Sequence, residues 1–171
     1  MLLDRLSQRS GEELAFERDE RRRLIRLTSP NKSWLSLSYG EADRVAAIND
    51  SRGRTVVYGY DKLGRLASVT YPSGEVLRYE YDSTQYLLTF SVAPDANSTP
   101  SLLLRNEYEH GRLVKQTFAD GKAYTYSYYP PGDRPVARVM VRTPDDRMFA
   151  VDDFDEDGSI VRELDAQSKR Q

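Results

Sequence analysis

An internal period constrains this chain more than any single motif. Tyr60 to Asp82 reads YDKLGRLASVTYPSGEVLRYEYD, which opens and closes on Tyr-Asp, and its leading tyrosines, Tyr60 and Tyr81, stand 21 residues apart. Shifted by that step, the segment finds copies of itself on both sides. A recurring unit of this length marks a repeat array, in which each unit is too small to bury its apolar face alone and stacks on its neighbours to do so.

The copies occupy most of the 171 residues. Upstream, Ser10, Gly11, Glu12, Leu14 and Phe16 fall on Ser73, Gly74, Glu75, Leu77 and Tyr79. The next unit opens at Arg18-Asp19, with Arg18 in place of Tyr, and another opens at Tyr39. Downstream, Tyr81-Asp82 opens a unit whose turn is swollen by APDANSTPS, Ala93 to Ser101, a Pro, Ser and Asn-rich loop with no core of its own. Tyr108 opens a clear copy that delivers Tyr128. The proline-laden YYPPGDRP then leads to a strand over Val136 to Val141, a turn at Thr143 to Asp146 and a return strand, and the last start is Phe154-Asp155. The array is thus about seven units over residues 1–164, followed by a polar, frayed tail at 165–171.

Each unit reads as two short antiparallel strands. In the central copy these are Arg65 to Tyr71 and Glu75 to Tyr81, joined by Tyr71-Pro72-Ser73-Gly74, whose Pro and Gly suit a type I turn; Asp120-Gly121 makes the same turn. Asp61-Lys62-Leu63-Gly64 reverses the chain into the next unit, with Asp able to bond nearby amides and Gly able to take positive φ. Alternate residues of a strand share a face. On the second strands one face carries Leu35, Leu37, Tyr39; Val56, Tyr58, Tyr60; Leu77, Tyr79, Tyr81; and Tyr124, Tyr126, Tyr128, while the other carries Ser36, Ser38, Arg78 and Glu80. The reading is all-β: tandem hairpins, roughly a dozen strands, in an open sheet with one packed face and one wet face.

Composition narrows the partners. Twelve tyrosines supplement an apolar fraction of only 39%, because each ring can be buried with its hydroxyl near water. The 25 basic and 27 acidic residues nearly cancel, which argues against nucleic acid as an electrostatic partner. Without cysteine there is neither a disulfide nor a thiolate metal site. No run is long enough to span a membrane, and the opening MLLDRLSQRSGEE lacks the apolar stretch of a signal peptide.

A Tyr-Asp, a Gly-Arg-Leu, a Pro or Asp-Gly turn and a Tyr-x-Tyr-Asp exit, in tandem, resemble the YD repeat, also called the RHS repeat. The resemblance covers nearly the whole chain and is strongest in YDKLGRLASVTYPSGEVLRYEYD and GRLVKQTFADGKAYTYSYY. It implies a long β-sheet that curves or spirals into a hollow shell, as in polymorphic bacterial toxins, insecticidal toxin complexes and teneurin-like proteins. It also implies a secreted or cell-surface setting within a larger bacterial protein, with the rest of that polypeptide, or an encapsulated toxin domain, as partner. Closed shells use more units, and the Asp-Pro-x-Gly element of self-cleaving members is absent here, so self-proteolysis does not carry over.

Several constellations compete with this structural reading. Asp153, Asp155 and Asp157, with Gly158, fall on alternate positions of a calcium loop, and are the candidate ligands for that cation. The closing position holds Leu164, with an acid one place early at Glu163, and an acidic hairpin turn accounts for the same residues. Trp34, off the aromatic face, is the candidate exposed contact, and glycans are the partner it suits in an alternative carbohydrate-binding or adhesin-like module. Arg18, Arg21, Arg22, Arg23 and Arg26 are interleaved with acids and read as a mutually paired surface. His110, the single histidine, sits in a turn, and no pair of carboxylates stands out as acid and base. The chain is expected to be non-catalytic and without a cofactor. Both ends of the array break off within a unit, which predicts self-association or completion by a longer polypeptide.

Overall fold

The computed structural model describes residues 5–7, 13–132 and 134–165. Its strands are β1 (Arg5–Ser7), β2 (Glu13–Arg18), β3 (Leu24–Thr28), β4 (Trp34–Tyr39), β5 (Val45–Asp50), β6 (Thr55–Tyr60), β7 (Leu66–Thr70), β8 (Val76–Tyr81), β9 (Leu87–Ala93), β10 (Ser101–Glu109), β11 (Arg112–Phe118), β12 (Ala123–Tyr129), β13 (Arg138–Arg142), β14 (Met148–Phe154) and β15 (Ile160–Asp165). All fifteen belong to one antiparallel sheet in which spatial order is chain order, so the all-β hairpin reading holds, with more strands than the dozen expected. One short 3-10 turn, Glu41–Asp43, is the only helical element among the described residues. No helix there is long and apolar enough to cross a membrane. The readings at Ser10, Gly11 and Glu12, and for 166–171, lie outside the described residues, while Asp165 ends β15.

The reversals between units share one geometry. At Asp61 the backbone N–H donates to the Arg65 carbonyl and the Gly64 N–H donates to the Asp61 carbonyl, both at 2.9 Å. Gly64 has φ of 77°, a left-handed conformation that glycine adopts without a steric penalty. The carboxylate accepts from the amides of Leu63 and Arg65 on one oxygen and from Arg65 Nε on the other, at 2.9, 2.9 and 2.7 Å. Asp19 with Arg23 forms the same clasp, and Asp50 with Arg54 repeats it in the turn within a unit, between β5 and β6. Asp82 and Asp155 keep the amide bonds without the arginine. Within the hairpins, Gly74 N–H donates to the Tyr71 carbonyl and Gly121 N–H to the Phe118 carbonyl. Of Asp120-Gly121 only Gly121 has positive φ, so this turn matches the one at Gly74, as read.

The chain forms two compact units. The first comprises the described residues up to Arg78 together with Ala93–Thr99, and the second comprises Tyr79–Val92 with those from Pro100 onward. In the first, the buried side chains are Val69, Val76 and Ala93. Two expectations are corrected there. The face of β8 that carries Val76 and Arg78 is expected to be wet, yet Val76 is among the most buried of the described residues. The enlarged loop is the reason: Arg78 Nη2 donates to the Ala96 carbonyl at 2.9 Å, which holds 94–99 against that strand. The loop thus lies against that face of the strand, and its own turn is closed by the Asp95 carboxylate on Asn97 and Ser98. Leu35 and Tyr60, assigned to the packed face, are 41% and 37% exposed. In the second unit Asn106 is buried and satisfied, donating to the Leu87 carbonyl and accepting from Gln116 Nε2.

The clasps make stability depend on ionised aspartates. The Arg65 amide, with its guanidinium, holds the Asp61 carboxyl below its usual range against some desolvation, and the Arg54 amide and guanidinium do the same for Asp50. A folded-state pKa below the unfolded one contributes stability that is present above the unfolded value and is lost as pH falls through the folded one. We expect thermal midpoints that fall steeply below about pH 4 and a shallower fall for Asp61→Asn. A midpoint that stays flat to lower pH would show that the clasps contribute nothing.

Candidate functional site

The surface most shaped by the sequence is the aromatic face. On β12, Tyr124, Tyr126 and Tyr128 are half-buried while Thr125, Ser127 and Tyr129 are exposed, the alternation a strand imposes. Burial pushes the Tyr126 and Tyr128 phenols up. The rings of the second unit touch in pairs: Tyr79 stacks on Phe90 at 5.2 Å and Tyr86 on Tyr108 at 4.8 Å, while Phe118, Tyr124 and Phe149 meet edge to face at 5.8 and 5.6 Å. Such pairs add specific geometry to their area burial.

Successive repeats are joined on this surface by an interlock between arginine and tyrosine. The guanidinium of Arg23 lies over the Tyr39 ring at 4.5 Å, Arg44 over Tyr60 at 5.7 Å, and Arg112 over Tyr128 at 5.3 Å. Each tyrosine hydroxyl then donates to a carbonyl fifteen residues upstream, next to the arginine: Tyr39 to Leu24 at 2.7 Å, Tyr60 to Val45 at 2.8 Å and Tyr128 to Leu113 at 2.8 Å. Where Tyr86 replaces the arginine, its ring stacks on Tyr108, whose hydroxyl reaches the Leu87 carbonyl at 3.1 Å. Sequence reasoning aligned the arginines but missed this contact. The constant step of sixteen residues from each arginine to its tyrosine, Arg23 to Tyr39, Arg44 to Tyr60 and Arg112 to Tyr128, was the signal that would have found it.

The residues singled out earlier are dispersed. Trp34 is half-buried, because the Arg26 guanidinium covers its ring at 4.3 Å. Asp153 pairs through both oxygens with Arg138, at 2.6 and 3.2 Å, and Asp155 closes a turn on the amides of Asp157 and Ser159. Among the described residues no group of three or more acids and histidines is placed to hold a metal ion. His110 lies in the turn before Arg112, at φ of 48°. The basic run is paired only in part with its interleaved acids, Arg23 with Asp19 and Arg26 with Glu17, while Arg21 and Arg23 reach Asp43 outside the run and Arg18 donates to the Arg22 carbonyl. In the second unit an open depression of about 850 Å³ has Leu103, Phe118 and Tyr124 among its lining, and Asp120–Lys122 and Asp145–Arg147 ion pairs beside them.

Comparison with known proteins follows the repeat. Residues 39–76 and 60–97 match the RHS Repeat family profile as two overlapping copies, so this part of the chain is built of RHS repeats. Sequence comparison with curated proteins finds no match. Among solved structures, the chain is similar to the Tc holotoxin pore of Photorhabdus luminescens in a form carrying a TccC3 mutation. The TM-score is 0.60 at 14% identity, over 92% of this chain and 9% of that one. It is also aligned with a TcdB2–TccC3 crystal structure at a TM-score of 0.49 and 11% identity, over 95% of this chain and 12% of that one. The chain thus spans about a tenth of the length of these proteins, and what the holotoxin likeness establishes is the fold.

The interlock has a measurable weight. Tyr39→Phe and Tyr128→Phe each remove one half-buried hydrogen bond while keeping the ring, and should cost about 1 kcal/mol. Tyr39→Ala, which also removes the surface under Arg23, should cost about 2–3 kcal/mol. Chemical denaturation of the whole chain measures both, and phenylalanine variants as stable as the parent would show the hydroxyl bonds to be incidental.

Proposed function

We propose that this chain is a non-catalytic structural segment of an RHS-repeat shell, which within a longer bacterial polypeptide encloses or presents a toxin. One observation carries the reading. All described strands belong to one sheet, and among the described residues no large side chain is fully buried. An ordinary domain closes its core between two packed layers. Here the turns and interlocks hold the sheet together, and its aromatic face keeps contact surface for neighbours or contents. The toxin-complex setting, and with it an extracellular location, is supported by the RHS match and by the likeness to the Tc holotoxin pore.

Light scattering and a hydrophobic dye test this on the purified chain at micromolar concentration. We expect self-association or dye binding, both suppressed when flanking repeats are supplied in the same polypeptide. A cooperatively unfolding monomer that binds no dye would overturn the reading. A sugar titration followed by tryptophan fluorescence should be silent; a saturable signal abolished by Trp34→Ala would favour a carbohydrate-binding module instead.

A further inference from the structure

The strand β15 presents an edge whose side chains are unusually exposed for their type: Ile160 at 57%, Val161 at 63% and Leu164 at 41%. Its pairing with β14 places Val151 opposite Leu164, Asp152 opposite Glu163 and Asp153 opposite Arg162. Directly opposed residues share a face, where opposite charges stabilise a pair and like charges destabilise it. The other strands of the sheet follow this rule, with Glu17 opposite Arg26, Glu107 opposite Lys115 and Arg138 opposite Asp153.

At β15 the two faces differ. On one, Arg138, Asp153 and Arg162 form a row of alternating sign. The side-chain bond from Arg138, and more weakly the field of Arg162, hold the Asp153 carboxyl low. On the other face, Val139, Asp152 and Glu163 end in two like charges. The row through Arg162 is continued by an acid, and the row through Glu163 is relieved by a base.

A second copy of β15 does not supply this. A two-fold axis normal to the sheet pairs residues of the same parity, because alternate residues face opposite ways. The registers that use most of the strand are centred on Arg162 or on Glu163, and each sets that charge against itself. The edge is therefore built against a second β15 and for a different strand.

We infer that β15 is a docking edge for an antiparallel strand of another sequence, reading apolar, basic, acidic, apolar from its amino end, opposite Leu164, Glu163, Arg162 and Val161. This rests on the reading that the chain is a segment of a longer sheet, and it specifies the chemistry of the strand that continues it. Self-association of the isolated chain then does not run through a pair of β15 strands.

Labelled peptides with a Val-Lys-Glu-Val or a Val-Glu-Lys-Val centre, titrated against the whole chain by fluorescence anisotropy, test it. The first should bind about tenfold more tightly, from two matched instead of two opposed charges. Arg162→Glu should abolish that preference, and a Val-Lys-Lys-Val peptide should restore binding to the variant. Equal binding of the first two peptides, tighter binding of the second, or no binding of either overturns the inference. A chain that self-associates and binds dye yet does not discriminate between the peptides loses this inference alone, whereas a dye-negative monomer removes the segment reading beneath it.

Discussion

The carboxylate of Asp61 accepts two backbone amides of its own turn and the guanidinium of Arg65, and the same clasp recurs at Asp19 and Asp50. This clasp does two jobs with one side chain. It satisfies amides that a tight reversal turns away from the strand ladder, and it fixes the arginine that follows. At Asp19 the clasped arginine, Arg23, is also the stacking partner of the next tyrosine, Tyr39. The sheet is extended unit by unit because each turn prepares the contact its successor needs.

Such a design distributes stability. Exposed ion pairs contribute little individually, but here the pair is coupled to amide bonds and a ring contact within one short segment. Departures are compensated locally. Gly40 stands where an aspartate belongs, and Asp43 instead reaches back to Arg23 at 2.5 Å, so that arginine lies between two carboxylates. Tyr86 takes over from an arginine by stacking ring on ring. The repeat tolerates degenerate sequence because what each position must supply is a contact, which more than one residue type can make.

The function proposed for this architecture is structural. Most of the described aspartates whose carboxyls are held low lie in turns, Asp19, Asp50, Asp61, Asp95, Asp120 and Asp145, where their bonds to amides or neighbouring side chains close the reversal. Asp153 and Asp155 illustrate the point: one completes a cross-strand pair and the other a turn.

The period of Tyr-Asp and Gly-Arg-Leu determined the strand order, the turn type and the alternation of β12, because turn chemistry and strand parity are local properties. It also made the RHS character of 39–97 legible before any comparison. The tertiary structure alone decided three matters. The loop 94–99 folds onto β8 and buries Val76, a non-local contact that no pattern within the loop announces. Trp34 is covered by Arg26 from the adjacent strand, which requires the cross-strand register. The like charges of Asp152 and Glu163 become neighbours only through that same kind of register. Parity tells which face a side chain joins, but pairing in space decides what it meets there.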